Sequence, residues 1–204
     1  NYELPAGTVR AVDEALDLTR LVLCTGRSLF SAKQVMAGFP RPFPLIADNG
    51  ATLWSPLEGI VWQKPIPRKE LTILLHFCRG RGIHLDFTTA EGIFVESVDE
   101  ELLTWYEKYH ALPQQVPDLA ELPSTVKATL THKDPEALTR IYGELKGLLG
   151  ERVKLLRSGQ HFIDVVARGV SKGKALRQYA ESLRIPPANI LAIGNYYNDE
   201  EMLR

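Results

Sequence analysis

Apolar positions along the chain change period from one segment to the next. Val9, Val12 and Leu16 recur at helical spacing with Arg10, Asp13 and Glu14 between them. That spacing predicts an amphipathic helix over about residues 6–17. Residues 21–24, 44–47 and 190–193 are apolar without alternation, the pattern of strands buried on both faces. Each run ends in a polar stretch containing glycine: Thr25-Gly26-Arg27-Ser28, Asp48-Asn49-Gly50-Ala51, and Gly194-Asn195 leading to Asn198-Asp199. A helix carrying Ala32, Val35 and Met36 separates the first two runs. A helix between strands implies parallel pairing, which brings the three strand ends to one edge of a sheet. Ligands of open α/β sheets bind at that edge.

The middle of the chain reads differently. Residues 61–63, 84–88, 93–96, 126–131, 153–156 and 162–166 read as strands. Residues 68–79, 99–109 and 134–149 read as helices, the last opened by Asp134-Pro135 as cap and first helical position. Gly159-Gln160 predicts a hairpin between the last two strands. The proline-rich stretch 112–123 reads as a surface loop. Hairpins mixed with helices suggest an α+β unit spliced into the α/β one. After it Ser171 can cap a helix whose apolar face is Ala175, Leu176, Tyr179, Ala180 and Leu183, stopped by Pro186-Pro187. The predicted organisation is α/β: residues 1–54 and 166–204 form one domain and residues 55–165 the insert.

Composition narrows the function. The chain has 204 residues, 45% of them hydrophobic, enough for a sizeable core. A net charge of −1 gives no general attraction to nucleic acid or to an acidic membrane. No apolar run has transmembrane length and no signal peptide is visible. Cys24 and Cys78 cannot make a disulfide framework and are expected as buried thiols, which points to the cytoplasm. The chain starts on Asn1 and stops at Arg204, a few residues into a predicted helix. It is expected to be a piece of a longer one.

The chemistry is expected at the three strand ends and at the start of the helix after Ser171. Lys172 there combines an ammonium with outward N–H groups and suits an anion; the alternative is a solvated lysine. A Walker A reading fails, because Gly169 stands three residues before Gly173 and Ala175 takes the hydroxyl position. Thr25 offers a hydroxyl and Gly26 an amide to a phosphoryl oxygen, and Asn49 with Gly50 does the same; ordinary caps are the alternative. Asn195 and Asp199 offer oxygens to a hard cation such as Mg²⁺. The five histidines lack metal-ligand spacing. Trp105, Tyr106 and Tyr109 share a helix, where packing is the ordinary role.

Thr25-Gly-Arg27, Asn49-Gly-Ala51, Gly169-Val-Ser-Lys-Gly173 and Gly194-Asn-Tyr-Tyr-Asn-Asp199 with Glu201-Met-Leu203 resemble the haloacid dehalogenase superfamily. They resemble most its Cof-type phosphatases with a type IIB cap, in order and spacing across nearly the whole chain. The resemblance implies a Rossmann-like parallel-sheet core with an inserted α+β cap. It implies a Mg²⁺-dependent phosphatase that acts on a small phosphorylated metabolite, such as a sugar phosphate, through an aspartyl-phosphate. Thr25 and Lys172 would then be catalytic. Thr25, Gly26, Arg27, Asn49, Gly50, Lys172 and Asn198 would bind phosphate or substrate, and Asn195 and Asp199 would lie at the metal. Two departures stand out. The family's Asp-x-Asp-Gly-Thr motif, with its nucleophile, is absent and is expected just upstream of Asn1. Asn195 stands where the family has a metal-ligating Asp. A phosphomutase or phosphotransferase on the same fold, or a catalytically impaired phosphate-ligand-binding protein, are the competing expectations.

Overall fold

A computed structural model describes residues 4–204. The N-terminal part builds one layered unit. Helix α1 (Ala6–Leu18) and helix α2 (Leu29–Met36) flank strands β1 (Leu23–Cys24) and β2 (Leu45–Ala47), which pair in parallel. Strands β3 (Thr52–Ser55) and β4 (Gly59–Gln63) extend this sheet antiparallel, in the order β1-β2-β3-β4. Alternate residues of β2 serve opposite faces, as strand geometry requires. Leu45 and Ala47 pack with Leu29, Ala32 and Met36, and with Val12 and Leu16 of α1. Ile46 and Leu53 pack against Ala175, Leu176 and Tyr179 of a helix from the far end of the chain. Helices therefore cover both faces, and the unit is α/β and Rossmann-like.

The second sheet has six strands. Helix α3 (Arg68–Arg79) leads to β5 (His84–Thr88) and β6 (Ile93–Val95), then helix α4 (Glu100–Lys108), β7 (Gln114–Gln115) and β8 (Lys127–Thr131). Helix α5 (Pro135–Leu149) and the hairpin β9 (Val153–Arg157) and β10 (Phe162–Ala167) complete it, in the order β7-β6-β5-β8-β10-β9. Leu85, Phe87, Ala128, Leu130, Ile163 and Val165 bury one face against Leu74, Phe77 and Cys78 of α3 and Leu138, Ile141 and Leu145 of α5. The chain then returns to the first sheet through helix α6 (Lys172–Ser182) and ends in helix α7 (Glu200–Leu203). Asp134 and Ser171 cap α5 and α6 as their sequences predict.

Three expectations differ from the structure. Residues 190–193 join no sheet among the described residues, and Leu191 and Ile193 are 87% and 83% exposed. An unbroken apolar run reports suitability for burial, but a strand also needs a neighbour for its amides, and none of the described strands runs beside this one. The sheet shared by 21–24 and 190–193 is therefore not formed, and only Leu23 and Cys24 of the first run are paired. The stretch after Trp54 also stays with the first sheet as far as Gln63, because β3 and β4 form a hairpin on β2. Finally, residues 112–123 contribute β7 and bury Leu119, so this stretch is partly packed.

Close backbone approaches fix how α6 sits. A Cβ on Gly173 would lie 2.2 Å from the carbonyl oxygen of Glu201, and a Cβ on Gly50 would lie 2.3 Å from that of Ser171. Both neighbours are backbone and cannot rotate away. Gly173→Ala should therefore destabilise the protein by about 1–3 kcal/mol in urea unfolding, the usual cost of overpacking. Gly147→Ala in α5, where nothing lies within 4 Å, should be neutral or stabilising by up to about 1 kcal/mol.

Candidate active site

A cavity of about 370 Å³ lies between the two sheets. Thr25, Gly26, Arg27, Lys172, Asn195, Asn198 and Asp199 line it, so the separate sequence motifs do converge. Asn49 and Gly50 are buried and not part of that lining. Asn198 Nδ2 donates to Asn49 Oδ1 at 3.0 Å, and Asn49 Nδ2 donates to Asp164 Oδ2 at 2.8 Å.

Lys172 and Asp199 form the most buried ion pair of the site. Nζ lies 2.6 Å from Oδ1, with side chains 7% and 8% exposed. The second Asp199 oxygen accepts the amides of Asn195 and Tyr196 at 3.1 and 3.2 Å. Burial works against the charge on Asp199, but Lys172 and these two amides outweigh it and hold the carboxyl below its ordinary range. Lys172 is thus not the solvated lysine of the alternative reading. The Thr25 hydroxyl accepts the Arg27 amide at 3.1 Å, and the residue lines the cavity with Lys172. Arg27 reaches across to the other sheet's unit. Its Nη1 donates to the Tyr109 carbonyl at 2.6 Å, and Ser31 Oγ donates to the same oxygen at 2.8 Å.

The oxygens predicted for a metal are less well placed. Asp199 spends both oxygens on Lys172 and on the loop's own amides, while Asn195 is exposed and lines the cavity. Among the described residues no group of three or more His, Cys, Asp or Glu side chains could hold a metal ion. The described residues do not make a Mg²⁺ site by themselves.

The sequence reading missed the cavity wall given by the second sheet: Asp86 on β5, Lys127 and Thr129 on β8, and Asp164 on β10. A signal existed. In His84-Leu-Asp-Phe-Thr88 and Lys127-Ala-Thr-Leu-Thr131, polar and apolar residues alternate, so one face of a buried sheet is polar. Trp105, Tyr106 and Tyr109, expected as packing, also line the cavity. They pack as well: Trp105 and Tyr109 meet Phe162 edge-on at ring separations of 5.7 and 5.8 Å. Lys127 Nζ donates to the Gly26 carbonyl at 2.9 Å. Although burial opposes its charge, Asp164, Asp48 and Asp86 hold it protonated.

The model of the haloacid dehalogenase-like hydrolases matches residues 3–204, and the chain belongs to that family. An HMP-PP phosphatase of Cronobacter sakazakii is 26% identical over 90% of this chain and 67% of its own. The putative phosphatase YxeH of Bacillus subtilis is 26% identical over 90% of this chain and 71% of its own. Among solved structures, TM0651 of Thermotoga maritima is 26% identical with a TM-score of 0.86, over 98% of this chain and 76% of that one. A haloacid dehalogenase-like hydrolase of B. subtilis reaches 0.88 at 20% identity, over 100% and 81%. Its likeness is one of fold.

Asp48 stands apart chemically. It is wholly buried at φ +52°, beside Asn49 at φ +57°. Burial pushes its carboxyl up to about 6, against the pull of Lys127, Thr52 and the Leu29 amide. An acid raised on folding binds its proton more tightly in the folded state. Stability attributable to it therefore falls as pH rises from about 4 to about 6 and stays lower above. Asp48→Asn, which keeps the shape and tolerates positive φ, should unfold at higher urea than wild type at pH 7.5, by about 1–3 kcal/mol. At pH 4 the two should nearly coincide.

Proposed function

We propose that the chain is the body of a phosphate-monoester hydrolase that acts on a small phosphorylated metabolite such as a sugar phosphate. Residues 1–54 and 166–204, with the β4 hairpin, are its core, and the rest of the middle segment is a cap over the cavity. The observation that carries this reading is the convergence of Lys172 and Thr25 on one cavity beside Asn195 and Asn198. An ammonium, a threonine hydroxyl and the Gly26 backbone suit the oxygens of a phosphoryl group. Such preorganised groups are worth several kcal/mol where charge develops. Asp199 would keep Lys172 aimed. The nucleophile is proposed to be an aspartate outside these 204 residues, since the sequence holds no Asp-x-Asp-Gly-Thr motif. The names of the relatives support the same class: an HMP-PP phosphatase and, at the level of fold, the subclass IIB sugar phosphatase BT4131. The two free thiols fit a cytoplasmic protein.

Mg²⁺ enters this reading through the family. The described oxygens do not complete a site for it. Asn195, an amide where the family has a metal-ligating Asp, favours a second reading, a protein that binds a phosphate ligand without turning it over.

Hydrolysis of an aryl phosphate by the full-length protein separates the two readings. Turnover is expected, and Lys172→Ala should lower kcat by roughly 10²–10³-fold while the variant still unfolds cooperatively. An unchanged rate would return Lys172 to a structural role. In a Mg²⁺ titration of the same activity, Asn195→Asp should lower the half-saturating concentration, because a carboxylate replaces an amide dipole next to a divalent charge. Coincident curves would remove Asn195 from the metal. No turnover at any Mg²⁺ concentration would favour the binding protein.

A further inference from the structure

The second sheet is buried on two faces of opposite character. One is the apolar face that packs on α3 and α5. On the other, Asp86, Thr129 and Asp164 are direct cross-strand partners in one row over β5, β8 and β10. Lys127 is two residues along β8 from Thr129 and so diagonal to Asp86. All four are buried, and all four line the cavity. Burying charges costs several kcal/mol per ion, and apolar residues of similar volume often serve stability as well or better. The row is therefore better explained by a ligand than by folding.

The hydrogen bonds show which group is available. Asp164 accepts from Asn49 Nδ2 and, at 3.2 Å, from Thr129 Oγ1. Asp86 Oδ2 accepts from the Tyr106 hydroxyl at 2.9 Å, and that hydroxyl lies 2.8 Å from His84 Nε2. Thr129, opposite Asp86, gives its hydroxyl to Asp164 and also pulls on the Asp86 carboxylate. A carboxylate has about four lone-pair sites, so Asp86 keeps acceptor capacity toward the cavity it lines. Lys127 gives one of its three N–H groups to Gly26.

We propose that Asp86 is a specificity-determining residue of this cavity, accepting a hydrogen bond from a hydroxyl on the organic part of a polyhydroxylated phosphate ester. Lys127 donates to the same or a neighbouring hydroxyl, and Tyr106, held by His84, is a positioning residue for Asp86. The charge pattern selects the class. An acidic group here would meet Asp86 and Asp164, and an ammonium would meet Lys127. A hydroxyl both donates and accepts, and satisfies the two signs at once. The proposal rests on the phosphate-ester reading of the site.

Its pH dependence follows. Burial pushes Asp86 up to about 7, against Lys127, Tyr106 and Thr129, with Asp164 adding to the rise. These are the groups that face it from β8, α4 and β10. Burial lowers His84, which stands behind Tyr106, and Lys127 stays charged. As pH falls through about 7, Asp86 takes a proton and loses the charge that draws the hydroxyl, so KM for the polyol ester should rise.

The test uses full-length wild type, Asp86→Asn and Tyr106→Phe. The substrates are sugar and polyol monophosphates of three to six carbons, cyclohexylmethyl phosphate as a ring without hydroxyls, and an aryl phosphate. Wild type should prefer its best polyol ester to cyclohexylmethyl phosphate by at least tenfold in kcat/KM. Asp86→Asn should reduce that ratio by roughly 10- to 100-fold, mainly through KM, and abolish the rise of KM below pH 7 relative to the aryl phosphate. Tyr106→Phe should shift both in the same direction by less. The proposal is overturned if Asp86→Asn lowers both substrates by the same factor, or if wild type shows no polyol preference while it hydrolyses aryl phosphate. Failure of wild type on all substrates would strike the phosphatase reading itself, and this inference with it.

Discussion

The buried pair between Lys172 and Asp199 is the contact on which the site depends. Its two residues are 27 positions apart. They meet because Gly173 lets the Glu201 backbone lie against α6. The pair does more than neutralise two charges. Asp199 also gathers the amides of Asn195 and Tyr196, so one carboxylate sets both the lysine and the loop. Breaking a buried pair by removing one partner leaves an uncompensated charge, at a cost of about 3–5 kcal/mol. The geometry of the cavity mouth and the stability of the C-terminal segment are for that reason hard to change independently.

A second chain of hydrogen bonds runs from Asn198 through Asn49 to Asp164, and Thr129 closes it on the far sheet. This is how the second unit is kept in register with the loops of the first. The other crossings are also polar: Lys127 to Gly26, and Arg27 and Ser31 to Tyr109. The apolar contact lies where the chain passes between the units. There Ala51, Val126, Val166 and Val170 form a small buried cluster of their own. Ile66 donates to Thr125, and Lys64 to Ala51, beside it. The join is therefore apolar where the chain passes between the units and hydrogen-bonded around the cavity.

Much of this was legible in the residues, for identifiable reasons. Helical period and caps gave α3 as residues 68–79 and placed α5 and α6 to within a residue or two, because Asp134-Pro135 and Ser171 are local signals read by neighbouring amides. The apolar run ending at Ala47 gave β2, and the last two residues of the run ending at Cys24 gave β1. The run at 190–193 carried the same signal and formed no strand, since pairing is a property of two segments and the pattern describes one. Lys172 could be singled out at a helix start and Asp199 as a candidate metal oxygen, but their pairing could not. The carboxylate that fixes it reads locally as a loop residue, and only the packing at Gly173 brings the two together.

The wall formed by Asp86, Lys127, Thr129 and Asp164 shows the opposite case, a signal that was present and passed over. Period-2 alternation is ordinarily read as one face in the core and one in water. Here the polar face is also buried, with Asp86 4% and Lys127 7% exposed. Nothing in a single strand distinguishes a face that meets solvent from one that meets a cavity. The distinction lies in what covers it: the aromatic side of α4 and the Thr25–Ser28 loop of a different sheet. A register-matched row of buried polar side chains over three strands, charged at Asp86 and Asp164 and with Lys127 diagonal to it, is the observation behind the proposal that this face meets a ligand. It becomes visible only once β5, β8 and β10 are known to be neighbours.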